Sequence, residues 1–289
     1  MADATFSCRV EAWYDANARD LPWRDPDASP WGVLVSEVML QQTPVARVLP
    51  AWQAWLSRWP TPASLAAEPP GEAVRAWGRL GYPRRALRLH EAARAIVARH
   101  AGVVPADYDD LLALPGVGGY TAAAVAVFGY GARHAVLDTN VRRVYARYFS
   151  GAADAATPSP TRSEQQAALD LVPAERPAHY SVAVMELGAL VCTARDPRCT
   201  SCPMADGCTW LIAGRPAGLA ARRKQTYAGT DRQVRGRLLA VLRAAPDVVA
   251  KPELDVVWDD EVQRERSLSG LIEDGLVEPV GEHHYRLPT

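Results

Sequence analysis

Residues Leu114-Pro115-Gly116-Val117-Gly118-Gly119-Tyr120-Thr121 decide how this chain is read. The stretch joins two segments of helical apolar periodicity, 108–114 and 121–128. Glycine permits backbone conformations that a side chain blocks, so successive amides can turn toward one point. Together with the N-terminus of the following helix they make a nest for an anion such as phosphate. Gly116, Val117, Gly118 and Gly119 are therefore candidate phosphate-binding residues.

Outward from this turn, apolar residues recur with helical period through 6–18, 31–41, 45–58, 87–99, 141–148 and 164–171, and strand alternation is absent. Pro and Gly punctuate the gaps, as at Trp59-Pro60-Thr61-Pro62 and Glu68-Pro69-Pro70-Gly71. A mostly α assembly with short loops is expected. Residues 211–230 lose periodicity and read as a linker. Beyond it, helices over 231–244, 252–258 and 262–274 and a hairpin of 277–280 with 285–287 around Gly281 predict a small winged-helix-like module over 231–289.

Downstream of the turn, Leu137-Asp138-Thr139-Asn140 ends an apolar run just before a helix. Asp138 reads first as a helix cap and second as an ionised carboxylate able to stabilise a positively charged intermediate; one residue can do both. Upstream, Trp31 to Thr43 places a single acid, Glu37, in an almost wholly apolar helix. Burial would raise its pKa and keep it protonated as a general acid; a position at the edge of the apolar stripe, facing water, is the alternative.

Four of five cysteines, Cys192, Cys199, Cys202 and Cys208, fall within one short stretch with six, two and five residues between them. Without a secretory start such clustering points to a metal centre rather than disulfides, and four thiolates suit either zinc or a [4Fe–4S] cluster. Arg195 and Arg198 in the loop read as phosphate contacts or as exposed charges beside the cluster. Cys8 stands outside the set and reads as a small core residue.

With 289 residues and 48% hydrophobic side chains, the chain is long enough for two domains. No stretch approaches the roughly 18 apolar residues of a membrane span, and no signal-like start is present. A soluble cytoplasmic protein is expected. The net charge of −1 argues against indiscriminate polyanion binding. Basic residues nevertheless gather at Arg75–Arg99, at Arg142, Arg143 and Arg147, and at Arg222, Arg223, Lys224, Arg232, Arg235 and Arg237. Each group reads as a phosphate-facing stripe or as a solvated helix face.

Taken in order, Leu21-Pro22-Trp23-Arg24, Ser36-Glu37-Val38-Met39-Leu40-Gln41-Gln42-Thr43, Gly81-Tyr82, Leu114 to Thr121, Leu137-Asp138-Thr139-Asn140 and Leu187-Gly188-Ala189-Leu190-Val191-Cys192 resemble the MutY-type adenine DNA glycosylases of the endonuclease III, helix–hairpin–helix superfamily. The resemblance spans about residues 6–210. It implies a [4Fe–4S] cluster on the four cysteines, whose spacing matches that superfamily's loop. The implied fold is a six-helix barrel over 22–133 with the hairpin, and a cluster domain over 134–210 joined by an N-terminal helix over 1–21, with the active site in the cleft between them. Glu37 would protonate adenine, Asp138 would stabilise the sugar cation and Tyr120 would sit beside that sugar. Trp23, Arg24 and Asn140 would line the base pocket, and Gln41 and Tyr82 would enter the duplex at the flipped base. Tyr120 stands where lyase relatives carry lysine, which implies a monofunctional enzyme. The expected substrate is adenine mispaired with 8-oxoguanine or guanine in the DNA of the nucleoid, and a sequence without heptads or a large apolar patch predicts a monomer.

Some positions depart from the family pattern. Thr139 replaces a frequent glycine, Val182 stands where many relatives place Glu or Gln against adenine, and Pro83 replaces a second aromatic. Residues 231–289 are too few for the Nudix-like domain with which many relatives read 8-oxoguanine. Other readings remain: a thymine or oxidised-pyrimidine glycosylase of the same superfamily, or a non-catalytic iron–sulfur DNA-binding protein.

Overall fold

The computed structural model describes residues 4–218 and 227–289, and the chain is mostly helical. Part of the expected 211–230 linker, with Arg222, Arg223 and Lys224, lies outside the described residues. No described helix is long and apolar enough to cross a membrane. The chain divides into two compact units, one of residues 1–33, 106–112 and 117–222, the other of 34–105, 113–116 and 223–289.

In the first unit, helix Ala4–Asn17 lies against Pro177–Leu190, which in turn lies against Thr139–Ser150. Their shared core holds Phe6, Val10, Val141, Val144, Tyr180, Val184, Leu187 and Met204. Phe6 is ringed by Tyr148 and Phe149 at centroid distances of 4.8 and 5.2 Å. The opposite face of helix Ala4–Asn17 carries Cys8, which is exposed and not the core residue expected, because Phe6 and Val10 fix which side turns inward. A second cluster of Ala123, Ala124, Val127 and Val136 packs with Tyr108 and Tyr120 around helix Gly119–Tyr130.

In the second unit, helices Val45–Arg58, Pro62–Ala66, Pro70–Trp77 and Arg84–Arg99 surround Trp55, Trp59 and Trp77, whose rings meet edge-on at 4.7 and 5.7 Å. Helices Pro62–Ala66, Pro70–Trp77 and Pro177–Leu190 were not expected from the sequence. Each begins with proline, a residue that reads as a break but is well suited to a first helical turn. The last of them is also apolar nearly throughout, so it lacks a stripe to betray its period.

Within the second unit, the C-terminal residues hold three helices and three short strands. Helices Asp231–Ala244, Lys251–Asp255 and Glu261–Glu273 accompany β1 (Val249–Ala250), β2 (Glu278–Val280) and β3 (His284–Arg286). The strands form an antiparallel sheet of order β1-β3-β2, with Pro279 and Val249 both opposite Tyr285. Strand β1 was not foreseen, since two residues carry no alternation.

Candidate functional site

Asp138 caps helix Thr139–Ser150. Its Oδ1 accepts the backbone amides of Asn140 and Val141 at 2.8 and 2.7 Å, and its Oδ2 accepts Asn140 Nδ2 at 2.8 Å. Burial pushes the carboxyl above its ordinary value, opposed by these hydrogen bonds and by the charge of Arg143. The Asn140 amide is thus held by Asp138, and its Oδ1 accepts Arg143 Nη2 at 2.7 Å. Arg143 also donates to the Cys192 and Gly188 carbonyls, each at 2.7 Å. Gly188 allows this approach: a Cβ there would lie 2.8 Å from both the Cβ and the carbonyl oxygen of Asn140.

Arg142, Arg143 and Arg147 are therefore neither a phosphate stripe nor a solvated face. All three are buried. Arg142 forks onto Glu164 at 2.6 and 2.9 Å and reaches the Thr157 carbonyl.

Glu37 is 6% exposed, in a helix, Pro30–Leu40, buried from Trp31 through Met39. That sets aside the water-facing edge. The chain leaves this helix through Gln41 and Gln42, the latter in the left-handed region at φ 55°. Arg85 holds this exit. Its Nη1 donates to the carbonyls of Val38 (2.8 Å), Met39 (3.2 Å) and Gln41 (2.7 Å), and its Nη2 to Thr43 Oγ1 and the Gly81 carbonyl, each at 3.1 Å. The same guanidinium lies 5.2 Å from the Trp77 ring and 5.5 Å from that of Tyr82. Tyr82 has a positive φ of 47° and is 51% exposed, so it is not a core aromatic.

In the hairpin, Gly116 adopts φ +76°, and a Cβ there would lie 2.6 Å from that of Arg88. Val117 is buried and anchors the turn, while Gly118 and Gly119 are exposed at the start of helix Gly119–Tyr130. Tyr120 is half-buried against the Ala123–Val136 cluster.

Trp23 is buried in the short 3-10 turn Pro22–Arg24. Arg24 Nη2 donates to Glu186 Oε2 at 2.8 Å, and its other amine, Nη1, is buried with no protein partner. Arg19 forks onto the same carboxylate with two 2.7 Å bonds. Glu186 itself has no exposed surface. Its burial favours the acid form, yet the bonds from Arg19 and Arg24 prevail and hold its pKa at about 2. Val182 is half-buried on the same helix.

The four cysteines begin where helix Pro177–Leu190 ends: Cys192 donates its amide to the Leu187 carbonyl at 2.8 Å. Two 3-10 turns, Cys199–Ser201 and Ala205–Gly207, carry the rest of the loop. Arg147 donates to Cys192 Sγ at 3.4 Å and to the Thr193 carbonyl at 2.8 Å, and lies 4.5 Å from the Trp210 ring. Burial pushes the Cys192 thiol up and that of Cys202 to about 11, and the Cys202 thiol senses the other three sulfurs. Among the described residues no three His, Cys, Asp or Glu side chains gather around one ion. A four-iron cluster does not ask them to, since each thiolate takes its own iron. The donor set, four half-buried soft sulfurs on one loop with an arginine at one of them, fits that group.

The sequence did not single out Glu186, and it marked Arg143 and Arg85 only as members of basic groups, not as donors to backbone carbonyls. Glu186 carries the signal that marked Glu37, one acid in an apolar helix; the arginines act on backbone carbonyls distant in sequence, for which no spacing exists.

Residues 35–171 match the HhH-GPD superfamily of base excision DNA repair proteins, and residues 192–208 match the iron–sulfur binding domain of endonuclease III. The chain is 56% identical over 277 residues to the adenine DNA glycosylase of Mycolicibacterium smegmatis, covering 96% of this chain and 94% of that one. It is 54% identical over 279 residues to that of Mycobacterium tuberculosis, covering 96% and 91%. A thermostable thymine-DNA glycosylase superposes with a TM-score of 0.66 at 27% identity, covering 72% of this chain and 96% of that one. An endonuclease III from a non-covalent DNA complex gives 0.62 at 22% identity, covering 73% and 96%, a likeness of fold. The chain belongs to the adenine DNA glycosylase family, a branch of the HhH-GPD base excision DNA repair proteins with an iron–sulfur loop.

Proposed function

We propose that the protein removes adenine from duplex DNA where it stands opposite 8-oxoguanine or guanine, as a monomeric, monofunctional glycosylase acting on the DNA of the nucleoid. The observation that carries this reading is Glu37, an acid buried in an almost wholly apolar helix, in a chain matched nearly end to end by adenine glycosylases. Burial favours a protonated carboxyl, and adenine offers N7 to receive the proton.

Glu37 gives its proton to N7, the N-glycosidic bond breaks, and neutral adenine leaves with the bonding electrons. Asp138, aimed by Asn140 and Val141, stabilises the oxocarbenium sugar. Water then adds to C1′ and its surplus proton returns to Glu37. Tyr120 stands beside the sugar and offers no amine for a Schiff base, so the strand stays intact. Trp23 supplies a flat apolar wall, and the buried Nη1 of Arg24 supplies a donor toward the base. Asn140 completes the pocket by holding Asp138. Gln41 and Tyr82 fill the stack vacated by the flipped nucleotide, while Gly116, Val117, Gly118 and Gly119 bind backbone phosphate through their amides. Cys192, Cys199, Cys202 and Cys208 hold the [4Fe–4S] cluster, whose contribution is to shape its loop.

Single-turnover assays on duplexes with adenine opposite 8-oxoguanine, guanine or thymine, developed with hot alkali, test the reading. Adenine loss is expected opposite 8-oxoguanine and guanine, with no strand break before alkali. Glu37→Gln is expected to lower the rate by roughly 10²- to 10⁴-fold. Absence of abasic product with every duplex overturns the assignment.

A further inference from the structure

The C-terminal module does not follow the usual docking of a helix-turn-helix protein, whose last helix enters a groove. Its Glu261–Glu273 helix has its arginines occupied inside the module: Arg264 is buried on Asp255 and the Trp258 carbonyl, and Arg266 forks onto Asp231 at 2.7 and 2.9 Å. What the helix and the turn before it expose is Asp259, Asp260, Glu261, Val262, Ser269, Glu273 and Arg266, the last already paired with Asp231, a surface with a net acidic charge that repels phosphate.

The other end of the module is bonded to the helices around the tryptophan core. Arg75 donates to the Arg243 and Ala245 carbonyls, Arg243 returns a bond to the Val74 carbonyl at 2.9 Å, and the Gly71 amide donates to the Pro288 carbonyl at 2.7 Å. Arg84 pairs with Asp274 at 3.1 Å. This attachment brings the start of helix Asp231–Ala244 to Tyr82: the Arg232 guanidinium lies 6.0 Å from the Tyr82 ring centroid and is exposed. One turn further along helix Arg84–Arg99, Arg88 lies under Gly116 of the hairpin. Arg232 therefore stands beside Tyr82, and the helix that follows Tyr82 carries Arg88 beside Gly116; Tyr82 and Gly116 are both assigned above to the duplex.

We propose that the module extends the DNA-binding surface through Arg232, which contacts a backbone phosphate at the point where Tyr82 enters the stack, and that its Glu261–Glu273 helix faces away from DNA. The proposal rests on the duplex-facing role of Tyr82 and the hairpin. A guanidinium near the limit of cation–π contact with the ring is placed to neutralise a phosphate beside it without reading a base.

The test is duplex affinity of the full-length protein by fluorescence anisotropy, using 2′-fluoroadenosine, which resists excision, opposite 8-oxoguanine or guanine at several salt concentrations. Arg232→Ala is expected to weaken binding about tenfold and to flatten the slope of log affinity against log salt by about one, alike for both partners. Val262→Glu is expected to leave both unchanged. Unaltered affinity and slope in Arg232→Ala overturn the proposal, as does a loss confined to one opposite base, or a larger loss in Val262→Glu. Adenine release by the wild type from the same duplexes with ordinary adenosine is scored separately: its absence removes the proposed reaction, while the binding result still decides the role of Arg232.

Discussion

Two arginines close on Glu186, one carboxylate serving both the N-terminal segment and the turn that carries Trp23. The folded pKa of about 2 lies below the ordinary 4.5. The stabilisation is therefore fully present above pH 4.5 and is lost as pH falls through that value toward 2. Glu186→Gln should cost about 3 kcal/mol at neutral pH, because two partly buried cations lose their counter-charge. Thermal unfolding of both proteins between pH 2 and 7 checks this: the gap in Tm should narrow below pH 4.5, and a gap constant across the range would exclude the ion pair as its source. Glu37 and Asp138 were legible as single residues because local context marks them, an acid in an apolar run and an acid at a helix start. The environment of Glu186 was not, since its partners lie 167 and 162 positions away.

At the scale of elements, Arg85 holds the end of helix Pro30–Leu40. It takes up three carbonyls at the helix end and ties them to the Gly81–Tyr82 turn. Arg85→Ala leaves those carbonyls short of donors and should cost about 3 kcal/mol in urea unfolding; a loss within the ordinary surface range of about 0.5 kcal/mol would show that water substitutes for the guanidinium. The hairpin gives a second case. Gly116 combines a left-handed backbone with a Cβ site blocked by Arg88, so Gly116→Ala should both destabilise and weaken duplex binding, whereas Gly118→Ala, at a position open to solvent, should fold normally. Equal stability losses in the two variants would mean the turn tolerates a side chain at 116. Most helices were readable from periodicity, and the start of one from its cap, Asp138. Helices Pro62–Ala66, Pro70–Trp77 and Pro177–Leu190 escaped because each starts with proline, so the signal that a sequence offers was inverted.

For the whole molecule, the unequal construction of the two units sets what cluster loss should do. The loop from Cys192 to Cys208 contributes only two 3-10 turns and one deeply buried apolar side chain, Met204. Its backbone hydrogen bonds close short turns within the loop, as from Cys202 to Cys199 and from Cys208 to Ala205, and Arg147 meets its two ends, by its guanidinium at Cys192 and Thr193 and by its carbonyl at Cys208. A loop so built depends on its metal for order, because binding to the folded form alone stabilises that form. The second unit has a core of its own around Trp55, Trp59 and Trp77 and no part in the cysteine loop. Cys202→Ser should therefore lose iron and acid-labile sulfide and become sensitive to limited proteolysis within 193–207. Peptides from 45–99 should remain protected. Mass spectrometry of the digests, alongside iron analysis, reads both effects at once. Retained sulfide with an intact loop would show that three thiolates suffice. Cleavage spread equally through 45–99 would show that the cluster stabilises the chain as one cooperative body rather than locally.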